Sequence, residues 1–565
     1  VIILGVNSYF EHPSVALVRD GELLFAAEDE RFTGIKHGRR YSPYHSYLPI
    51  DAAYRALDHT GISFHDIDEI AYSYHRWRHL RSLWGCLTGR RLSTLREELA
   101  AFAGLACLPA ALRSGYDVPQ RYRHLMRPED IRGVPFREWP HHLTHAASAF
   151  FCSGWDEALT IVCDGAGENA CTSVFVGRGR RLRTVAEQVV PDSLGLFYSL
   201  VTRHLGFEPF ADEFKVMGLA AYGEPRFADE FARVLPLLPD GRYRLDLRRL
   251  RALDRRVAPA RSPGAPLERV HRDIARSAQQ RLEEALEHIV THYARTTGLR
   301  RLCLAGGTFL NCVANGRIAA LGLFDDVFVQ PAASDAGTAV GAASLSAIRR
   351  GAPAQLSYDS FCLGTAHPDR AVEAAFTQAG LEAQWLTEAE VTERLADRLA
   401  RGRIAAVFRG RMEFGPRALG NRSLLAAASD PGMRDRLNRV KGREDFRPVA
   451  PIVPWEAFDD YFSGHPDPYM LFTGSAKDKA KERTPAAVHV DGTARVQAVR
   501  AEREPFLHRL LCRFADRSGD PVLINTSFNV RGKPIVESPQ EALACFLGSE
   551  VDCLSMGGWF YEKGA

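Results

Sequence analysis

Eleven cysteines are scattered through 565 residues without a single C-x-x-C pair. That pattern excludes a zinc ribbon and a thioredoxin-type redox site, and it suits reduced thiols better than a disulfide scaffold. Excess charge is missing as well. Lys and Arg total 72 against 69 Asp and Glu, a net charge of +3, too small to argue for a nucleic-acid partner. The opening "VIILGVNSYFEHPSVALV" has no basic lead and turns polar after six residues, so it reads as a strand rather than a signal peptide. Long apolar runs are absent too; the most apolar stretch, "AAFAGLACLPAAL" (100–112), is short for a membrane span and holds a proline. It reads as a buried or pocket-lining helix. No internal repeat is visible. The expectation is a soluble, cytoplasmic protein with neither membrane nor nucleic acid as partner.

The chain length itself implies more than one core, hence at least two domains. "SVALVRDGELLFAAEDERF" reads as a hairpin turned at Asp20-Gly21, and strands return at 158–167, 172–177 and 299–307. A long helical pattern over 270–298 ends at a glycine C-cap. Strands alternating with helices, with glycine-rich turns at strand ends, predict an α/β fold that binds ligands at those turns. The Pro/Gly/Ser-containing connection over 347–364 is the candidate boundary, dividing the chain into 1–352 and 353–565. Beyond it a helix over 388–400 and strands over 404–410 and 521–529 are expected. Residues 75–125 and 240–270, rich in arginine and leucine, read as helical insertions with solvated faces.

"WPHHLTHAASAFF" places His141 and His145 one helical turn apart. His75 and His79 share that spacing with no acidic loop near them in sequence, and read as surface residues. Asp164 in "CDGAGE" and Asp335 in "PAASDAGTAVGAA" sit in glycine-bearing turns at strand ends. Two imidazoles and two carboxylates would suit Fe(II), Mn(II) or Zn(II); the same two aspartates also suit plain caps or turn residues, and spacing does not decide. The turns "CDGAGE", "LAGGTFLN" and "SDAGT" resemble those around a nucleotide in actin/Hsp70-type ATPases. Lys215, in "DEFKVMGLAAYG", could neutralise a phosphate there, or be a surface lysine ahead of a buried helix.

From Arg401 to Arg447 there are eleven arginines and one lysine, set among glycine and proline rather than paired with glutamate at helical spacing. Anion sites for phosphate or carboxylate are built this way. After the last apolar strand, "NTSFNVRGKP" alternates Ser527, Asn529 and Arg531, which can point to one side of an extended segment.

Taken in order, "HHLTHAASAF", "DGAGE", "DEFKVMGLAAYG", "LAGGTFLN", "SDAGTAVGAA", "GRMEFGPRALGNRS" and "NTSFNVRGKPIVESP" resemble the O-carbamoyltransferases of antibiotic biosynthesis and nodulation-factor tailoring. The resemblance runs over nearly the whole chain except the two arginine-rich insertions. It implies an N-terminal actin/Hsp70-like ATPase-fold domain with helical insertions, and a C-terminal YrdC-like α/β domain whose K-x-R and S-x-N signatures are Lys441/Arg443 and Ser527/Asn529. It further implies that Mg-ATP and carbamoyl phosphate form carbamoyladenylate in the C-terminal domain, and that a hydroxyl of a small-molecule acceptor takes the carbamoyl group in the N-terminal one.

Carried over by motif, His141, His145, Asp164 and Asp335 are metal ligands, with iron the family's usual metal. Arg417, Lys441, Arg443, Arg447, Arg495, Asn525, Ser527, Asn529 and Arg531 would hold carbamoyl phosphate and ATP. Asn7, Glu30, Gly165, Lys215, Gly306, Gly307 and Asn311 would hold the adenylate, and His12 would serve the acceptor step. The insertion over 75–125 would line a pocket for a large apolar acceptor, and homo-oligomers are compatible with all of this. Two rivals share the fold: a tRNA threonylcarbamoyl transferase and a slow nucleotide-binding regulator. A carbamoyl phosphate requirement separates both from the leading reading.

Overall fold

The computed structural model describes residues 1–8, 11–38, 49–75 and 133–564. The 100–112 helix, His79 and most of the 75–125 insertion lie outside these residues.

Strands β1 (Ile2–Asn7), β2 (Ser14–Arg19) and β3 (Glu22–Glu28) form an antiparallel meander, and β4 (Glu69–Tyr72) and β5 (Phe136–Glu138) add parallel to β1. The hairpin turn falls where expected, with Asp20 at φ 51° and Gly21 at φ 89°. A second sheet repeats the plan. Antiparallel β6 (Glu157–Gly167), β7 (Ala170–Arg178) and β8 (Arg181–Val189) are followed by β9 (Arg301–Ala305) and β10 (Asp326–Val329), parallel to β6. The orders are β3-β2-β1-β4-β5 and β10-β9-β6-β7-β8. This duplicated topology is that of the actin/Hsp70-type ATPase fold.

The strand order is duplicated although no repeat is visible in the sequence. The two copies share strand order but not length: β8 and β9 are separated by helices Leu194–His204, Glu213–Ala220, Ala228–Val234 and Arg269–Thr297. A repeat of topology with unequal crossovers leaves no period in sequence. Within that crossover, 240–270 contributes two short helices, Leu247–Arg251 and Leu253–Arg256, that bury Leu250 and Leu253 and leave arginines outward.

Helices His141–Phe150 and Thr338–Arg349 each follow the last strand of a sheet and pack against one another between the two sheets. Their approach requires glycine. A Cβ at Gly341 would lie 1.8 Å from the Thr144 carbonyl oxygen, and one at Gly5 would lie 2.0 Å from that of Ala339. The close contact fixes the histidine-bearing helix against the turn that carries Asp335.

The C-terminal part is built on an eight-stranded mixed sheet ordered β11-β21-β20-β12-β13-β19-β14-β18. Its strands are β11 (Gln384–Trp385), β12 (Ala405–Phe408), β13 (Arg422–Ala427), β14 (Ala450–Pro454), β18 (Gln497–Val499), β19 (Leu523–Ser527), β20 (Cys553–Met556) and β21 (Trp559–Glu562). A small sheet of β15 (Phe462–Ser463), β16 (Gly474–Ala476) and β17 (Thr493–Ala494) lies in between. Alternation sorts the side chains by face. Ala405, Val407, Leu425 and Leu523 join helices Glu388–Ala400 and Pro505–Ser518, whereas Ala406, Phe408, Leu424 and Ile524 join helices Asp369–Gln378, Met433–Val440 and Pro539–Leu547.

Arg422 opens β13 fully buried. Its guanidinium lies 3.8 Å from the Phe408 ring centroid and donates to the carbonyls of Arg409, Gly410, Asn421 and Thr365. It ties together the turn that presents Arg417, so its role is internal. Arg422→Leu leaves those buried carbonyls without donors and should cost about 3 kcal/mol, a Tm loss of roughly 5–10 °C by scanning calorimetry. An unchanged Tm would mean that the turn closes without it.

Candidate active site

The structure brings His141, His145, Asp164 and Asp335 together, one donor atom from each lying within 4.8 Å of the others. The His141 and His145 Nε2 atoms are 3.0 Å apart. His141 Nε2 stands 3.5 Å from Asp164 Oδ2 and 3.4 Å from Asp335 Oδ1; the His145 distances are 3.8 and 3.5 Å. Four ligands about 2.05 Å from a tetrahedral metal have edges of about 3.3 Å, so the donor set fits a divalent cation.

The tautomer agrees. His141 Nδ1 is 3.2 Å from the Ser73 carbonyl oxygen, which can only accept, so Nδ1 carries a hydrogen and Nε2 is the nitrogen turned to the centre, where a proton or a metal would sit. Burial alone would push the His141 imidazolium down, but the Asp335 and Asp164 carboxylates outweigh it and hold the ring up at about 10. Burial pushes both aspartates up, and for Asp164 the Asp335 charge does so too, but His141 and His145 outweigh this and hold both below the usual carboxylate range. The centre is an electrostatic well for one cation, whether proton or metal.

Residues that the sequence did not disclose complete it. Tyr74 stacks on His141 at 4.2 Å between ring centroids and donates to Asp335 Oδ2 at 3.3 Å. Glu168, at φ 59°, accepts from the backbone N–H groups of His75 and His141. His75 is thereby tied at the backbone to the loop that follows Asp164. No spacing rule links Tyr74 or Glu168 to the histidines; only strand pairing brings them near.

The glycine turns close around the centre. The Gly307 N–H donates to Asp164 Oδ1 at 3.2 Å, and a Cβ on Gly306 would lie 2.2 Å from the Cys163 carbonyl oxygen. Gly165 is pinned through its carbonyl by Ser193 Oγ at 2.7 Å. Asn311 sits at the end of the same loop as a helix cap. Its side-chain oxygen accepts from Ala314 N and Gln279, and its amide donates to Gln279. Lys215 forms ion pairs with Asp212 and Glu444, each at 3.0 Å, and so stands between the two halves of the chain.

His12, Asn7 and Glu30 form a neighbouring group. His12 has φ 51°, and its Nδ1 is 3.5 Å from Glu28 Oε1. Burial would push its imidazolium down, but Glu28 prevails and raises it to about 9. Asn7 holds that turn by donating to the Glu11 and His12 carbonyls. Glu30 accepts from the His37 N–H at 2.6 Å, and Arg31 lies 2.8 Å from Glu28 and 3.8 Å from Glu30. His12, Glu30 and His37 also offer three donors within 4.8 Å, but Arg31 already stands as the counter-charge to both carboxylates.

In the C-terminal half, Lys441 Nζ donates to Ser527 Oγ at 3.0 Å and Asn529 Oδ1 at 2.7 Å, and also to the Ser527 carbonyl. Ser527 Oγ donates in turn to Asn529 Oδ1 at 2.8 Å. Asn525, buried, donates to the Ala418 carbonyl and to Gln497. Arg531 is exposed beside Gly442.

Two sets of basic residues stand out in and beyond 401–447. Arg403 and Arg436 pair with Asp552, and Arg409 pairs with Glu388. Arg417, Lys441, Arg443, Arg447 and Arg495 instead crowd one another, with Glu444 as the nearby carboxylate, 3.8 Å from Arg447. Burial first, then the neighbouring cations, push Arg417 and Arg443 down to about 9 and lower Lys441. Buried cations that repel one another are stabilised by a polyanion between them.

The two sites share a wall. Arg417 donates to the Leu310 carbonyl at 3.3 Å, in the same loop whose Gly307 N–H holds Asp164. Arg31 donates to the Gly415 carbonyl at 2.7 Å.

The protein therefore combines a duplicated ATPase-type fold, a buried His2Asp2 donor set that fits a divalent cation, and an adjoining cluster of buried cations. Residues 2–344 match the family described as Carbamoyltransferase N-terminus, and residues 396–563 match Carbamoyltransferase C-terminus. The chain belongs to the carbamoyltransferase family.

Among its relatives, nodulation protein NolNO of Sinorhizobium fredii is 35% identical over 99% of this chain and 80% of its own length. The uncharacterized protein sll1178 of Synechocystis is 34% identical over 100% of this chain and 97% of its own. Nodulation protein U of Rhizobium fredii is 29% identical over 97% of this chain and 93% of its own. Among solved structures, T. kodakarensis HypF aligns over 62% of this chain and 48% of that one, with 17% identity and a TM-score of 0.33. Among the described residues no helix is long and apolar enough to cross a membrane.

Proposed function

We propose that the chain is a cytoplasmic O-carbamoyltransferase that works in two steps at two sites. In a YrdC-like domain over 353–565, carbamoyl phosphate, ATP and one water give carbamoyladenylate, phosphate and pyrophosphate. In the domain over 1–352, a hydroxyl of a natural-product acceptor attacks the carbamoyl carbon, the carbon–oxygen bond to AMP breaks, and the acceptor leaves as a carbamate. The supporting observation is the cluster of Arg417, Lys441, Arg443, Arg447 and Arg495 around Ser527, joined through the 306–311 loop to Asp164.

Carbamoyl phosphate breaks down in water, so buried guanidinium and ammonium groups that hold it away from solvent suit it. Lys441 orients Ser527 and Asn529, and Arg417, Arg443, Arg447 and Arg495 face the phosphate charges. His141, His145, Asp164 and Asp335 would hold iron or a similar divalent metal, which when bound supplies Lewis acidity for an adenylate phosphate or carbonyl oxygen. Asn7, Glu30, Gly165, Gly306 and Gly307 shape the second site, while Lys215 and Asn311 support it from behind.

ATP analogues test the order of bond breaking. β,γ-Methylene ATP should support carbamate formation and α,β-methylene ATP should not. The opposite result would mean that the γ-phosphate is cleaved, as in a regulatory ATPase, and would end this reading.

In the acceptor step His12 takes the hydroxyl proton. Because Glu28 raises its imidazolium to about 9, it is protonated at neutral pH and frees its base form only as pH rises. Transfer should climb about tenfold per pH unit up to about 9, and Glu28→Gln should move that break down toward the ordinary histidine range. A flat pH profile would remove His12 from this role.

A further inference from the structure

A cavity of about 490 Å³ lies between the two halves of the chain. Strand β10 and residues of 152–155 wall it on one side; Trp455, the 465–469 loop and β18 wall it on the other. Gln497 belongs to this wall, donates to the Leu419 carbonyl and accepts from Asn525, each at 2.8 Å. The cavity thus backs onto the anion site, yet neither the His2Asp2 donors nor Arg417, Lys441, Arg443, Arg447 and Arg495 line it.

Asp467 is the unusual member of the wall. It is only 7% exposed and joins no ion pair among the described residues. Its Oδ2 accepts from the N–H groups of Tyr469 at 3.1 Å and Leu471 at 2.7 Å, while Oδ1 accepts from no group among the described residues. Burial pushes the carboxyl up to about 7, and those two donors offset this only in part. Arg500 and Arg503 also line the cavity, but both are exposed and engaged elsewhere. Arg500 lies 3.4 Å from the Trp455 ring centroid, and Arg503 donates to the Asp359 carbonyl at 2.6 Å. A buried carboxylate without a counter-charge is costly, and a cation from solution that reaches it relieves that cost.

Much of the remaining wall is aromatic and held in place. Phe361 packs edge to face with Tyr358 and Tyr469, at 5.0 and 5.4 Å between ring centroids, and Trp155 meets Phe328 at 6.3 Å. Organic-ligand sites combine such a volume and such apolar walls with a few placed polar groups.

We infer that this cavity is a binding site for an organic amine, whose ammonium group meets Asp467 while its apolar body lies along the aromatic wall.

Benzylamine and benzyl alcohol, alike in size and different in charge, are the probes. Each is titrated by calorimetry into the full chain at about pH 8, where the amine is protonated and a carboxyl of this kind is mostly ionised. Benzylamine should bind about tenfold or more tightly than the alcohol, the factor that a charge-assisted hydrogen bond supplies. Asp467→Asn keeps an acceptor for the Tyr469 and Leu471 N–H groups, and should abolish that preference without lowering Tm. Ser360→Phe sets a ring into the cavity from a half-buried wall position and should weaken benzylamine by a similar factor. It decides the matter should Asp467→Asn fail to fold. No binding of benzylamine, equal binding of the two probes, a preference that survives in Asp467→Asn, or unchanged benzylamine binding in Ser360→Phe overturns the inference. None of these readouts uses carbamoyl transfer, so the two-step reading stands or falls separately.

Discussion

His145→Ala should release the bound metal and lower carbamoyl transfer by a factor on the order of 10²–10³, while pyrophosphate release in the C-terminal half persists. The His145 ring is fully buried, with Nε2 3.0 Å from that of His141 and 3.5 Å from Asp335. Its loss leaves three donors around a space shaped for four. It touches nothing in the Lys441–Ser527 cluster, whose link to the centre runs through the 306–311 loop. Metal per chain by elemental analysis, carbamate by mass spectrometry and pyrophosphate by coupled assay separate the effects. Equal loss of both activities would mean that the two sites do not act as separate stations. Full transfer in metal-free protein would remove the metal from the chemistry.

Lys441→Ala carries the second large effect, and its two readouts should move in opposite directions. Carbamoyl phosphate-dependent pyrophosphate release should fall on the order of 10³-fold, because Nζ organises Ser527 and Asn529 and in the proposed reaction would face the substrate anion. Stability should hold or rise. The lysine is buried beside Arg443 and Arg447, which repel it, and burial already disfavours its charged form. Removing a charge held at such a cost relieves the fold. Lys441→Arg should not restore activity, since a planar guanidinium does not reproduce the point-like ammonium that donates to both Ser527 and Asn529. Ser527→Ala should show the same loss in milder form. A fall in Tm that parallels the fall in activity would assign Lys441 a structural role instead.

The sequence held the elements that depend on near neighbours. His141 and His145 lie on one helix, so their four-residue spacing already put them on one face. The 270–298 helix and its Gly298 cap followed from local pattern, and Gly298 adopts φ 68° with its N–H on the Ala294 carbonyl. Strands near 158–167, 404–410 and 521–529 followed from apolar runs and correspond to β6, β12 and β19.

What the sequence withheld depends on distance along the chain. Asp164 and Asp335 suit caps as well as ligands until a sheet and a helix pair bring them to the histidines. Tyr74 and Glu168 reach His141 only through the pairing of β4 with β1 and the packing of the second sheet. The duplication of the ATPase fold is a property of strand order, and unequal crossovers hide it from any period in the residues. Arginine count gave no sign that Arg422 would serve the interior while Arg417 faces the other half of the chain. Lys215 reads in sequence either as a residue that could neutralise a phosphate or as a surface lysine, and in the structure it pairs with Asp212 and Glu444.

The central claim is that the C-terminal site activates carbamoyl phosphate with ATP before any acceptor takes part. Pyrophosphate release by the purified chain, with and without carbamoyl phosphate and with no acceptor present, tests it most directly. Release that requires carbamoyl phosphate, is lost in Lys441→Ala and is reduced in Ser527→Ala is the predicted result. Release that is indifferent to carbamoyl phosphate, or none at all from protein shown to hold its metal, would contradict it.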